Sequence, residues 1–229
     1  MKKTILLIVF AVAVFSLSSS ADFITIVGYE VTGVVANSAE LPVTESSTGI
    51  QATSITRSDE LGVGTSTASS SFNSSKWNIT DIFDEDSHYL TFTITTAPGY
   101  EVSIEKLSYN IESSDTAPNQ GRWGYKIEDG EFVLQEPLTV QPSSPFGDGT
   151  WDISDLNEAS GTIEFRYWQF GTDRVDGEDG DSSASGTSRI RNLSGYDVHL
   201  TGTVIPEPTS IGLLVLMGGL LLIRRRLRG

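Results

Sequence analysis

Apolar and polar residues alternate most clearly between His88 and Thr96. The alternating positions are Leu90, Phe92 and Ile94 on one side and Thr91, Thr93 and Thr95 on the other. Successive side chains of a β-strand point to opposite faces, so this period of two predicts a half-buried strand with its threonines outward. The tripeptide Ala97-Pro98-Gly99 that follows predicts a turn into the next strand.

The segment from Tyr100 to Ser113 has an apolar pattern that changes phase along its length. Its apolar residues form two sets of opposite phase, Val102 and Ile104, then Leu107, Tyr109 and Ile111. A shift by one residue moves every later side chain to the other face of a strand. The pattern therefore predicts a β-bulge near Glu105-Lys106.

Shorter segments rich in β-branched and aromatic residues predict the remaining strands. Residues 23–35 predict an edge strand or a short hairpin, and 122–128 and 131–135 predict a hairpin around the dipeptide Asp129-Gly130. Residues 162–170 predict a strand with Ile163, Phe165 and Tyr167 on one face. The other predicted strands are 49–58, 151–153, 190–193 and 196–204. Polar composition predicts a linker over 37–48, a loop over 137–149 and a flexible stretch over 62–75 from which Phe72 reaches the core. No segment between the two chain ends has a helical period, so the sequence predicts an all-β chain folded as an antiparallel β-sandwich.

The first 21 residues have the organisation of a secretory signal peptide. Lys2 and Lys3 precede an apolar stretch from Ile5 to Phe15, and small residues follow up to Ala21. We expect signal peptidase to cut between Ala21 and Asp22, so that the chain is exported.

The last residues combine a proline-flanked acid, an apolar run and a basic end. The motif is Pro206-Glu207-Pro208, the apolar run extends from Ile211 to Ile223, and the basic end consists of Arg224, Arg225, Arg226 and Arg228. The two prolines restrict the backbone around Glu207 to an extended conformation. The apolar run predicts a hydrophobic transmembrane helix with the arginines on its cytoplasmic side.

This order of motif, span and basic end, from Pro206 to Gly229, resembles the PEP-CTERM sorting signal of bacterial exported proteins. The resemblance implies that an exosortase recognises and processes the tail, after transit through the inner membrane, and that the protein ends at the cell surface or outside the cell. A permanent single-pass anchor is the alternative. The 15 residues from Thr209 to Ile223 would form a helix of about 22 Å, whereas the hydrocarbon core is about 30 Å thick. The short span favours the sorting signal.

The region between the two ends resembles the jelly-roll domain that commonly precedes PEP-CTERM signals in exported bacterial proteins. The segments that carry the resemblance are GIQATSITRS, SSSFNSSKW, YLTFTITTAPGYEVSIEKLSYNIESSDTAPNQGRWGYKI, GTIEFRYWQFG and SASGTSRIRNLSGYDVHLTGTV. The resemblance implies a jelly-roll-like domain over 49–204, with a strand and linker over 22–48, the signal peptide over 1–21 and the sorting signal over 205–229. The family often has an acid before the asparagine of its late strand. Arg191-Asn192 stands there in this chain, which removes a carboxylate from any ion site at that strand.

Residues 22–205 contain 29 acidic and 9 basic side chains, which gives them a formal charge of −20. This charge argues against binding to nucleic acid or to anionic membrane surfaces, and it suits an extracellular protein or one that binds cations. The chain has no cysteine, so neither a disulfide nor a thiol nucleophile is available.

An acidic loop with two glycines is the densest cluster of candidate metal ligands. Its acids are Asp173, Asp176, Glu178, Asp179 and Asp181. Calcium takes about six to eight oxygen ligands, so the loop is a candidate calcium site, although its spacing does not match an EF-hand. A solvated acidic loop is the alternative, and no other cofactor is predicted. The second acidic run, Asp84-Glu85-Asp86, predicts a surface turn.

Four aromatic residues have two interpretations, as a platform that stacks on sugars or as ordinary core residues. They are Trp123, Tyr125, Tyr167 and Trp168. His88 and His199 fall in predicted strands without a third ligand nearby, so a zinc site is not expected. The chain has no Gly-x-Ser-x-Gly motif, and nothing selects one carboxylate pair for glycoside hydrolysis.

The sequence therefore predicts an exported, non-catalytic surface or extracellular-matrix protein that an exosortase sorts through its tail. The alternative is a glycan-binding module at the cell surface or in the exopolysaccharide matrix. The expected partners are signal peptidase and exosortase, with extracellular polysaccharide as a further candidate, and nucleic acid is not expected.

Overall fold

The computed structural model describes residues 23–64, 69–140, 149–192 and 195–207. The predicted signal peptide with Ala21 and Asp22 lies outside the described residues. So do Pro208, the apolar run from Ile211 to Ile223 and the terminal arginines. The described part of the chain is all-β, which confirms the predicted fold class.

The described residues form sixteen strands. They are β1 (Ile24–Tyr29), β2 (Glu45–Ser46), β3 (Ile50–Ala52), β4 (Thr56–Arg57), β5 (Gly62–Val63), β6 (Ser71–Ser75), β7 (Tyr89–Thr96), β8 (Tyr100–Tyr109), β9 (Ile111–Ser113), β10 (Pro118–Ile127), β11 (Val133–Leu134), β12 (Leu138–Thr139), β13 (Gly149–Ala159), β14 (Thr162–Arg174), β15 (Thr187–Arg191) and β16 (Val198–Pro206).

Three antiparallel sheets contain these strands. The first sheet has the order β13-β8-β16-β1-β2, and the second has the order β11-β10-β14-β7-β3, where β12 also pairs with β10 and β4 with β7. The third sheet has the order β5-β6-β15-β9. Neighbours in each sheet are mostly distant in sequence, as expected for a sandwich rather than a series of hairpins.

The first two sheets pack face to face around an aromatic core. The rings of Tyr29 in β1 and Phe92 in β7 lie 5.1 Å apart between centroids, and those of Tyr109 in β8 and Trp123 in β10 lie 5.5 Å apart. Strand β7 confirms its predicted faces, because its apolar residues are buried and its outward threonines are half-buried. The core of the sandwich is therefore built from the inward positions that alternation identifies.

A β-bulge lies at the predicted place in β8. Lys106 pairs with Thr201 and Ile104 pairs with Gly202, which leaves Glu105 as the extra residue. The bulge keeps both apolar sets on the buried side. At Asn110 the chain leaves the first sheet, and β9 then pairs with β15 of the third sheet.

Several predictions of where strands and loops begin and end are wrong. The stretch 62–75 is predicted to be flexible, yet it contributes β5 and β6. Phe72 is fully buried, as predicted, and Cζ of Arg57 lies 3.8 Å from the centroid of its ring. The strand over 49–58 is split into β3 and β4, and the loop over 137–149 contains β12. Strand β13 has eleven residues where a short one was expected, because two register shifts let it follow the bulged β8.

Strand β14 is buried on both faces from Phe165 to Gly171. The inward face meets the first sheet, as the alternation predicts. The outward face is covered by the loop before β7, where Phe83 packs against Trp168 and Phe170 at 5.3 and 5.4 Å. Alternation alone could not predict this second covering layer.

Candidate functional site

The third sheet carries a cluster of opposite charges on its edge strand β9. Glu112 in β9 lies directly opposite Arg189 in β15. The two side chains form a forked pair, with Arg189 Nη2 at 3.0 Å from Glu112 Oε1 and Nε at 3.2 Å from Oε2. Arg191, two residues further along the same face, donates from Nη1 to Oε2 at 2.7 Å. One buried carboxylate therefore holds two guanidinium groups in place.

A buried polar network beneath β9 sets the register that creates this pair. Ser113 and Ser188 lie opposite each other with their hydroxyl oxygens 2.7 Å apart. Gln169 from β14 is fully buried and bonds to both serines. Adjacent side chains of a strand point to opposite faces of the sheet. Because Ser113 points toward Gln169, Glu112 points to the other face, where Arg189 and Arg191 lie.

A cleft of about 270 Å³ opens beside the charge cluster. Its lining residues are Glu112, Ser113, Ser114, Asp115, Thr187 and Arg189. The Ser114 hydroxyl accepts a hydrogen bond from the Thr187 amide at 2.8 Å, which ties the two walls together. The cleft thus places a guanidinium, a free-standing carboxylate and hydroxyl groups around one small space.

The charge of this cluster differs from the overall charge of the domain. Glu112, Arg189 and Arg191 together carry a formal charge of +1, in a region whose overall charge is −20. Two of only nine basic side chains in residues 22–205 converge on this one carboxylate. Asp115 of the adjacent cleft brings the sum to zero, so an anionic group is attracted here by guanidinium donors and not by net charge.

The acidic loop after β14 does not bring its carboxylates together. Asp176 forms an ion pair with Arg174 and accepts a hydrogen bond from the Glu178 amide at 3.1 Å. Asp173 and Asp181 form a backbone bridge. In the described part of the chain, no three acidic or histidine side chains are grouped as a metal ion requires. Calcium binding by this loop stays a prediction without geometric support.

The acidic run Asp84-Glu85-Asp86 is an exposed turn. The Asp84 carboxylate accepts the Asp86 amide at 3.0 Å, and this hydrogen bond lowers the pKa of Asp84. The carbonyl of Glu85 accepts hydrogen bonds from Arg166 Nη1 and Trp168 Nε1. The turn therefore fastens the loop that covers the outer face of β14.

The four aromatic candidates for a sugar platform are core residues. Trp123, Tyr125, Tyr167 and Trp168 are each less than 10% exposed. Burial raises the pKa of the Tyr167 hydroxyl well above its ordinary value. The platform interpretation is wrong for these four rings, because no sugar can reach their faces. His199 lies in β16, whereas His88 precedes β7 in a left-handed conformation with φ of 56°.

The proline-flanked motif begins on the last strand of the domain. Pro206 ends β16 opposite Tyr100, and the Glu207 amide donates to the Gly99 carbonyl at 2.8 Å. Both residues are exposed. The backbone of Glu207 is therefore tied to one end of the first sheet. No helix within the described ranges is long and apolar enough to cross a membrane.

The pattern of residues along the chain did not predict the Glu112 cluster. The alternation in Thr187–Arg191 places both arginines on one face, and this was the available signal. Their partner is 77 residues away for Arg189 and 79 for Arg191, so only the strand order brings them together. At Arg191 the family resemblance predicted only the loss of a carboxylate, whereas this residue joins a carboxylate from another strand.

No protein-family model matches this chain, and no curated protein matches it.

Proposed function

We propose that this chain is an exported, non-catalytic surface or extracellular-matrix protein whose tail an exosortase recognises and processes. The observation that supports this proposal is the position of Pro206 and Glu207. They are exposed where β16 ends, where a membrane-embedded enzyme can read them. The signal peptide directs export, and the apolar tail holds the chain at the inner membrane until processing.

Removal of the tail leaves the sandwich complete. Strand β16 lies between β8 and β1 in the first sheet, and its pairing with β8 ends at Pro206. Cleavage beyond Pro208 would therefore break none of the ladder hydrogen bonds of β16. A processed protein keeps its domain folded and loses only the segment that would retain it in the membrane.

Intact-mass measurement of the surface protein tests this proposal in a host with a matching exosortase. We expect the mature chain to begin at Asp22 and to lack Arg224 to Arg228. Glu207→Ala should leave export intact and block the tail step. Glu101→Ala is the matched control, because Glu101 lies opposite Ile205 at the same end of the sheet. A mature mass that still includes the arginines would support a permanent anchor instead.

A glycan-binding module is the second candidate function, and the cleft beside Glu112 favours it. Sugars are recognised by planar forks, carboxylates and hydroxyls that exchange hydrogen bonds with ring hydroxyls. These groups line the cleft together. A glycan array probed with the mature exported chain tests this candidate, and an array without any saturable binding would reject it.

A further inference from the structure

Arg189, which lines the cleft, and Arg191 beside it keep N–H donors that Glu112 does not use. Glu112 accepts from Nε and Nη2 of Arg189 and from Nη1 of Arg191. Among the described residues, nothing accepts from Nη1 of Arg189 or from Nε and Nη2 of Arg191. Arginine has five N–H donors in a rigid plane that matches a carboxylate. A second carboxylate can therefore bind to Arg189 from the cleft without displacing Glu112.

The arginines are already oriented before any ligand arrives. Glu112 is 6% exposed and fixes both guanidinium planes, whereas the Arg189 and Arg191 side chains are 37% and 49% exposed. Ordering a long side chain weakens binding, and a pre-ordered fork avoids most of that loss. The arrangement thus suits an anion that approaches from solvent.

Hydrogen-bond acceptors also line the cleft, opposite the guanidinium donors. Asp115 is exposed, and its carboxylate has no hydrogen-bond partner among the residues that the structure describes. It can accept hydrogen bonds from hydroxyl groups, and Thr187 and Ser114 add hydroxyls of their own. The complementary ligand carries one carboxylate and several hydroxyls on a small frame. The cleft of about 270 Å³ is smaller than a typical drug-sized site of about 300–1,000 Å³, so it suits a single sugar unit.

A strongly acidic polypeptide fits the site less well. Each additional carboxylate would approach Asp115 and a domain of charge −20. Like charges cost binding energy, whereas hydroxyl groups do not. The site therefore favours one isolated negative charge surrounded by hydroxyls over a run of negative charges.

From these observations we infer that the cleft beside Glu112 and Arg189 binds a uronic acid unit, with its carboxylate on Arg189 and its hydroxyls on Asp115 and Thr187. This inference rests on the glycan-binding candidate and specifies its ligand class. It is independent of whether the tail is processed.

NMR titration of the mature exported chain with sodium glucuronate tests the inference. We expect saturable shifts of the Arg189 side-chain N–H signals. Glucose and sodium acetate should bind at least about ten-fold more weakly, because glucose lacks the carboxylate and acetate lacks the hydroxyls. Arg189→Gln should weaken glucuronate binding about ten-fold or more. Arg174→Gln is the matched control, because Arg174 pairs with Asp176 outside the cleft.

The binding results distinguish recognition of an acidic sugar from glycan binding in general. Equal affinity for glucose and glucuronate would overturn the acidic-sugar assignment while leaving glycan binding in place. Binding of neither sugar would overturn both, and tighter binding of poly-glutamate than of glucuronate would indicate an acidic polypeptide instead. If Arg189→Gln fails to fold in a melting experiment, Arg189→Lys keeps the charge toward Glu112 and removes the fork. Unchanged glucuronate affinity in that variant would overturn the inference.

Discussion

Phe92 and Phe165 stack face to face across the β7–β14 pair, with ring centroids 5.0 Å apart and planes only 10° from parallel. Both rings are 1% exposed or less. Phe92 also meets Tyr29 of the first sheet at 5.1 Å. This one ring therefore joins two neighbouring strands to the opposite sheet of the sandwich.

Phe92→Ala should destabilise the domain by about 3–5 kcal/mol, because it leaves a cavity beneath Phe165 and Tyr29. That is a large part of the about 5–15 kcal/mol that holds a typical domain together. Thr93→Ala should cost far less, because Thr93 is half-buried on the outer face. Urea titration of both variants measures the two losses. An equal or larger loss at Thr93 would show that the faces of β7 are reversed.

Deleting Glu105 should unfold the first sheet, although Glu105 contributes little itself. The deletion removes the bulge and turns one of the two apolar sets of β8 outward. Each exposed apolar side chain costs about 1.5–3 kcal/mol. Glu105→Ala keeps the bulge and should stay within about 0.5 kcal/mol of the parent. Thermal unfolding of the two variants tests this, and a stable deletion variant would contradict the assigned register.

Glu112→Gln should cost about 1–3 kcal/mol, because two guanidinium groups lose their shared charged acceptor. Glu101→Gln serves as the control, since Glu101 has no ion pair within the described residues. Urea titration at low and high salt gives both losses. If the two substitutions were equivalent, the cluster would contribute nothing to the stability of the third sheet.

The domain should lose stability as the pH falls through the range where Glu164 titrates. Burial alone would raise the pKa of Glu164, but hydrogen bonds and charge from Arg166 and Lys126 outweigh it and lower the pKa. Their nitrogens lie 2.5 and 3.2 Å from its carboxylate. The folded pKa is below the unfolded value of about 4.3, so the stabilisation is complete above that value and is lost below it.

Melting temperature as a function of pH measures this effect. Glu164→Gln should flatten the acid side of the profile, because glutamine does not titrate. Glu131→Gln, which removes an exposed acid in the β10–β11 turn, is the control for the change in net charge. The same slope in parent and Glu164→Gln would refute the assignment of this carboxylate.

The sequence by itself determined the features that depend on local alternation. The faces of β7, the bulge at Glu105 and the hairpin around Asp129-Gly130 all follow from which neighbouring residues are apolar or can turn. These features hold because a strand has only two faces, so a period of two assigns each side chain.

Only the tertiary structure decided which faces meet. Phe83 covers the outer face of β14, and polar Ser71–Ser75 becomes a buried strand because the third sheet supplies its partners. Glu112 and Arg189 are 77 residues apart, and their pairing depends on the departure of the chain from the first sheet at Asn110. Alternation reports how a residue faces within its own strand, whereas burial and ion pairing depend on the strand that lies opposite. That choice is made by the free energy of the whole assembly of sheets.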